Sequence, residues 1–299
     1  MSAASTGQRI LPDEFGNTDL LEEYEMSEAD WKRFRAQQHR LDREQRRAVK
    51  GLHPSIWRIK PFDRGKLELG KALKDKPQSP SCIHRATLST GEEFALKQYR
   101  PIKQFDLRNA LGSSKALYSL RAAESIARRG FRAAKPLAAW SEPGNGSFLL
   151  LEDLSKLPRL QDVLAQRTRR EQRDLLVELA LLVKQMHRSG IWYRDLKPSN
   201  ILVDRAADGA DRFVLIDHDR NRFSRSEISH RKAAQDLAAI HAGLERTVHW
   251  RDLLSGLKHY GMKILPLVED ATAKRLISRG RKPIPRLTAA RSRFPRRRA

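Results

Sequence analysis

The sequence predicts an α+β protein of two lobes, an antiparallel sheet followed by a helical half. Three observations lead there. Residues 67–151 break into short β-patterned runs separated by turn formers, with one helical stretch among them. Residues 172–188 carry Leu175, Leu176, Leu179, Leu182, Val183 and Met186 at helical spacing, and Gly190 ends the run. Between this helix and those that follow lies a loop–strand–turn–strand unit that places acids at its loop and at the end of its second strand.

Each element has its own signal. Residues 28–50 read as a polar helix ended by Gly51 and Pro54; its apolar positions, Trp31, Phe34 and Leu41, are sparse, so light packing is expected. Residues 67–73, 83–88 and 93–99 read as strands, with Pro77 and Pro80 in the first connection and Thr90-Gly91 turning the second. A helix is expected over 114–129, with Gly130 placed to end it. Residues 136–140 and 148–151 form two more strands around the Pro-Gly-Asn-Gly turn at 143–146. Strands at 201–203 and 213–216 flank a polar turn containing Asp208-Gly209, and helices resume near Ser229. The expected division is an N-terminal extension over 1–52, a sheet lobe over 53–154, a helical lobe over 155–270 and a basic tail over 271–299.

Composition bounds the rest. A chain of 299 residues, 39% hydrophobic, can bury one large two-lobed core. No apolar run is long enough to cross a bilayer, and residues 1–16 lack the basic-then-apolar pattern of a secretory signal. Cys82 is the single cysteine, so no internal disulfide is possible and a reducing compartment is expected. The net charge is +23, and eleven of its cations lie in residues 271–299, which hold no acid. Residues 1–30 run the other way, with eight acids against Arg9. The basic tail points to a polyanionic partner. No interleaved aromatic and basic surface is legible, so nucleic acid is not the expected one.

The chemistry concentrates in Tyr193-Arg194-Asp195-Leu196-Lys197-Pro198-Ser199-Asn200. Moving a phosphoryl group to a hydroxyl needs a carboxylate near the attacking oxygen and oxygen ligands for a divalent cation. Asp195 can be the base, Asn200 a metal ligand, and Lys197 can neutralise charge on the transferred group. The run is similar to the kinase catalytic loop H-R-D-L-x-x-x-N, with Tyr193 in place of His. Next, Phe213-Val214-Leu215-Ile216 ends in Asp217-His218-Asp219, which resembles D-F-G with both following residues changed; Asp217 is the expected principal Mg²⁺ ligand. Asp219 can be a second metal ligand or pair with Arg220 or Arg222, pairing being the expected role, and His218 is expected to pack. Phe94-Ala95-Leu96-Lys97 resembles V-A-I-K, so Lys97 is expected on the α- and β-phosphates. Leu117, Leu120, Glu124 and Ala127 share one helical face, so Glu124 is expected to pair with Lys97. Glu152 follows the last sheet-lobe strand, where a kinase meets adenine. No G-x-G-x-x-G is present; Lys74, Lys76 or Ser79 are the candidates to hold phosphates instead.

These motifs stand in kinase order, but A-P-E is absent and only residues 220–230 separate the Asp217 loop from the next helix. That leaves little platform for a peptide. Together with Arg194-Asp195, Asn200, Ile216-Asp217-His218-Asp219-Arg220, Arg231 and Asp236-Leu237, the sequence resembles the bacterial lipopolysaccharide kinases, the Kdo and heptose kinases of the inner core. The resemblance implies a protein-kinase-like fold, ATP with Mg²⁺, and transfer to a sugar hydroxyl of a lipid-linked acceptor. It further implies a cytoplasmic enzyme, peripheral at the inner face of the inner membrane, where the basic tail would meet anionic lipid. Lys197-Pro198 keeps a protein Ser/Thr kinase, or another small-molecule kinase, as the alternative.

Overall fold

The computed structural model describes residues 26–50, 56–58, 67–74, 79–101, 114–142, 145–206 and 209–278. The acidic N-terminus, Lys76 with its turn, and the chain beyond Ser278 lie outside the described residues.

Strands β1 (Ile56–Arg58), β2 (Leu67–Lys74), β3 (Ser81–Leu88), β4 (Glu93–Tyr99), β5 (Pro136–Glu142) and β6 (Gly146–Glu152) form one sheet in the order β1-β5-β6-β4-β3-β2. All its described pairings are antiparallel. Strand alternation gives β4 two different faces. Phe94 and Leu96 join Ala86, Ala138, Trp140 and Leu150 in one apolar cluster. Tyr99 lies on the other face, in a cluster with Ala116, Leu120, Ala139 and Leu149. Lys97 is two residues from Tyr99 and shares that face, with its ammonium 4.7 Å from the Tyr99 ring centre.

Helix α1 spans Glu28–Lys50 and α2 spans Lys115–Ala127. The Ser114 hydroxyl caps α2 by accepting from the Leu117 N–H at 3.2 Å. Its buried side, including Ala116, Leu117, Leu120 and Ala123, covers β5 and β6. The helical lobe holds α3 (Leu160–Ala165), α4 (Arg169–Arg188), α5 (His230–Leu244), α6 (Trp250–Tyr260) and α7 (Leu265–Ser278). A capping box between Thr168 and Glu171 starts α4. Two hairpin-like pairs complete the lobe: β8 (Ile201–Arg205) with β9 (Asp211–Leu215), and β7 (Ile191–Trp192) with β10 (Arg222–Phe223). Helix α5 is the lobe's central post. Ala233, Ala234, Ala238, Ala239 and Ala242 are all buried, and such small residues let other backbones approach closely.

Two expectations are corrected here. Helix α1 does not pack lightly: Trp31, Arg35, Gln38 and Asp42 are buried. Asp42 takes Arg129 at 2.8 Å, Arg128 at 2.7 Å and the Ser125 hydroxyl at 2.7 Å. Burial opposes its charge, and the Arg129 guanidinium, Ser125 and Arg128 more than offset it, so the carboxyl stays below its usual range. Arg35 donates to the Arg188 carbonyl at 2.9 Å, so the helix ties α2 to the end of α4. The boundary expected at residue 270 falls inside α7, where Thr272 and Leu276 are buried. The helical lobe therefore runs at least to Ser278.

His241 sits buried on α5, and burial alone pushes its pKa from 6.5 down to about 4. The unfolded chain takes this proton first as pH falls, so stability is complete above pH 6.5 and is lost toward pH 4. The full loss is on the order of 3 kcal/mol. His241→Leu should therefore melt closer to its pH 7.5 temperature at pH 5 than the parent does. An equal drop in both proteins would contradict the assignment.

Candidate active site

The loop between β7 and β8 is built around a carboxylate from α5. Asp236 is fully buried. Its Oδ2 accepts the Tyr193 N–H at 2.8 Å, and its Oδ1 accepts the Arg194 N–H at 2.7 Å. His187 Nε2 lies 3.2 Å from Oδ2. Arg194 is held at φ 70°, a left-handed conformation that a side-chain-bearing residue adopts only when its surroundings fix it. Further along, the 3₁₀ turn Pro198–Asn200 rests on α5 at Gly243, where an added Cβ would come within 2.4 Å of Pro198 Cδ. These two contacts set the loop against the helical core.

That loop presents Asp195 in a defined state of bonding. Lys197 Nζ lies 2.8 Å from Asp195 Oδ2. Asn200 Nδ2 donates to the Asp195 carbonyl at 3.0 Å and to Oδ2 at 3.3 Å. Among the described residues, Asp195 Oδ1 accepts no hydrogen bond, and neither does the Asn200 side-chain carbonyl. One oxygen of each group is thus left for another partner.

The strand end lies beside it. The Ile216 N–H donates to the Asn200 carbonyl at 3.0 Å, and the Tyr193 hydroxyl donates to the Ile216 carbonyl at 2.5 Å. Tyr193, standing where kinases have His, therefore locks the loop to the Asp217 strand. Asp217 follows at φ 72°. Its Oδ1 meets Lys97 Nζ at 2.5 Å, across the cleft from the sheet lobe. Burial opposes charge on both groups. On Lys97 it is outweighed by Tyr99, Asp217 and Asp219, which raise its pKa. On Asp217 it is outweighed by Lys97, which holds the carboxyl low.

Asp219 behaves differently from its neighbour. Burial and the nearby Asp217 charge raise its pKa. Among the described residues it makes no ion pair: Arg220 acts on it only through its nearby charge, and Arg222 donates to the Tyr118 hydroxyl at 2.6 Å. A partly buried carboxylate pressed by a second one suits a further cation. The oxygen donors Asn200, Asp217 and Asp219 fit a hard cation such as Mg²⁺. His218 is buried as expected, and burial lowers its pKa to about 4, so the ring is neutral near pH 7.

The expected Lys97–Glu124 pair does not form. Lys97 is committed to Asp217, while Glu124 accepts from the Gln45 amide of α1. Glu124 does lie on a covered face, where burial raises its pKa against Arg128 and Arg121, but the cover is α1 and not β4. Glu152 is the last residue of β6 rather than the first after it. Its carboxylate accepts the Lys135 N–H at 2.6 Å, which ties the side chain into its own lobe. On the β2–β3 connection, the Ser79 carbonyl accepts from Arg100 at 3.1 Å.

Residues 97–260 match the family model described as the lipopolysaccharide kinase (Kdo/WaaP) family. The chain belongs to that family. It is a kinase. The match begins at Lys97 and takes in every site residue named above except Ser79 and the α1 partners. The comparison with curated proteins finds no match. Among solved structures, one described as WaaP in complex with acyl carrier protein is similar over 69% of this chain and 88% of that one. The TM-score is 0.52 and the identity 20%, so the likeness establishes the protein-kinase-like fold.

Sequence reasoning passed over two positions that organise this kinase's site. Tyr193 stood only as a replacement for His, and Asp236 only as part of a family likeness. The signal available for Asp236 was an acid among the alanines of the run Ala233–Ala242. Asp236→Ala removes the acceptor from two backbone N–H groups at once. A loss of about 2–5 kcal/mol in unfolding free energy is expected by denaturant titration. A loss below about 1 kcal/mol would mean that the loop is held by something else.

Proposed function

We propose that this kinase transfers the γ-phosphoryl group of ATP to a sugar hydroxyl of the lipopolysaccharide inner core. The observation that supports this best is the convergence of Asp195, Asn200, Asp217 and Lys97 at one cleft, with an oxygen of Asp195 left unbonded. In this reading Asp195 Oδ1 accepts the proton of the attacking hydroxyl, and Lys197 holds Oδ2 and offsets charge on the group in transit. Lys97 contacts the α- and β-phosphates, and Glu152 marks the backbone that meets adenine. Glu124, expected among the nucleotide contacts, acts only by seating α2 on α1. Asn200 and Asp217, joined by Asp219, would hold Mg²⁺. The metal would supply charge neutralisation on the phosphates.

The acceptor class follows from what separates the site from α5. The segment from Arg220 to Ser229 is short, and its two-residue strand β10 is already paired with β7. A peptide would find little backbone to align with, which favours a sugar acceptor over a protein one. We place the enzyme at the inner face of the inner membrane, held there by the basic residues past α7. Among the described residues no helix is long and apolar enough to cross a membrane. Residues 279–299 supply nine cations and no acid, each contributing about 1 kcal/mol toward anionic lipid.

The test is transfer of radiolabelled phosphate from ATP to lipid-linked core sugar, to a generic protein substrate, and with no acceptor. Label is expected in the sugar arm. Asp195→Asn should cut turnover about a hundredfold or more with ATP binding intact, and Asp217→Ala should remove Mg²⁺-dependent ATP binding. A chain ending at Ser278 should keep ATP binding but sediment less with anionic vesicles. Label in the protein arm, or near-parental turnover in both variants, would overturn the reading.

A further inference from the structure

A cationic face lies directly beside the catalytic loop and takes no part in the chemistry described so far. Arg194 precedes Asp195 and is exposed. Its guanidinium carbon lies 5.1 Å from the centre of the Trp192 ring. Lys232, exposed on the first turn of α5, places its ammonium 5.0 Å from the same ring. The two charges are therefore held within about 10 Å of each other.

Nothing among the described residues neutralises them. Asp236, under the Arg194 backbone, is spent on the backbone N–H groups of Tyr193 and Arg194 and on His187, and the neighbouring Asp195 is paired with Lys197. Residues 220–232 add Arg220, Arg222, Arg225, Arg231 and Lys232 against a single acid, Glu227, whose charge acts on Tyr260. Arg222 and Arg225 are engaged, by the Tyr118 hydroxyl and by His39 Nδ1 at 3.1 Å. Among the described residues, the side chains of Arg194 and Lys232 meet only the Trp192 ring. An aromatic ring shared by two cations orders them without adding a counter-charge, which is a low-cost arrangement for gripping an anion.

We propose that Arg194 and Lys232, seated on Trp192, form a second acceptor subsite that binds an oxyanion carried by the acceptor close to the hydroxyl being phosphorylated. The group is a phosphate or a sugar carboxylate. Arg194 offers the paired N–H geometry that suits either. Because Arg194 and Asp195 are adjacent on one loop, the anion belongs within a sugar unit or two of the reacting hydroxyl. This rests on the sugar-acceptor reading above. It goes further by giving the acceptor a charge and by giving the enzyme a means to reject uncharged core sugars. Chain-borne phosphate is the competing occupant, but Ser224 and Ser226 are bonded to each other at 3.1 Å within their own turn.

Two measurements test it. In the first, the full chain is titrated with inorganic phosphate while tryptophan fluorescence is read. The parent should show a saturable change that survives in Asp195→Asn, weakens about tenfold in Lys232→Ala and vanishes in Trp192→Phe. Because this needs no turnover, its failure is separate from failure of the kinase reading. In the second, acceptor KM is measured on core oligosaccharide that is intact, dephosphorylated or carboxyl-reduced. Removing the relevant anion should raise KM about tenfold for the parent and leave Lys232→Ala unmoved, and Arg194→Ala should raise KM far more than it lowers kcat. The arm that raises KM identifies the anion. Equal KM in all three arms, a phosphate response unchanged in Lys232→Ala, or phosphoserine at 224 or 226 after incubation with ATP would overturn the proposal.

Discussion

One ion pair governs the cleft, between the buried Lys97 ammonium and the half-buried Asp217 carboxylate. Either one alone would be costly to bury, since desolvation opposes both. Together they join β4, one of the sheet's two central strands, to the loop after β9. Around them the other features fall into place. Tyr193 and Asn200 fix the backbone on either side of Ile216, so Asp217 can hold its left-handed conformation. Asp219 adds a second acid that Lys97 cannot fully satisfy. The cleft is thereby prepared for a further cation, while burial keeps His218 neutral and out of the charge balance.

The same pair explains why the carboxylate of α2 has a different task. Glu124 faces away from β4, toward α1, and the helix it sits on is positioned from behind. Asp42 gathers Ser125, Arg128 and Arg129, and Gln45 reaches Glu124. Arg35 carries the tie onward to Arg188 at the end of α4. Helix α1 thus bridges α2 and the end of α4.

Much of this was legible in the sequence, for physical reasons that also explain the gaps. Strand β4 showed its alternation, and the acids of the catalytic loop and of β9 stood at spacings that only a shared site makes sensible. The extent of α1 was readable and its packing was not. Its buried stripe runs Trp31, Arg35, Gln38, Asp42, at helical spacing but mostly polar, so a search for apolar periodicity passes over it. Glu124 was correctly placed on a covered face, yet helical spacing reports the face and not which element covers it. Charge counting drew the tail from residue 271, whereas burial of Thr272 and Leu276 keeps α7 in the fold. Asp236 could not be seen as an acceptor for backbone N–H groups, because the groups it serves lie 42 and 43 residues away in sequence.

The most direct test of this account is a pair of double-mutant cycles read as unfolding free energy. One combines Lys97→Met with Asp217→Asn, the other Lys97→Met with Glu124→Gln. The account predicts a coupling of about 1–3 kcal/mol in the first cycle and additive losses, within about 0.5 kcal/mol, in the second. Coupling between Lys97 and Glu124 with none between Lys97 and Asp217 would contradict it.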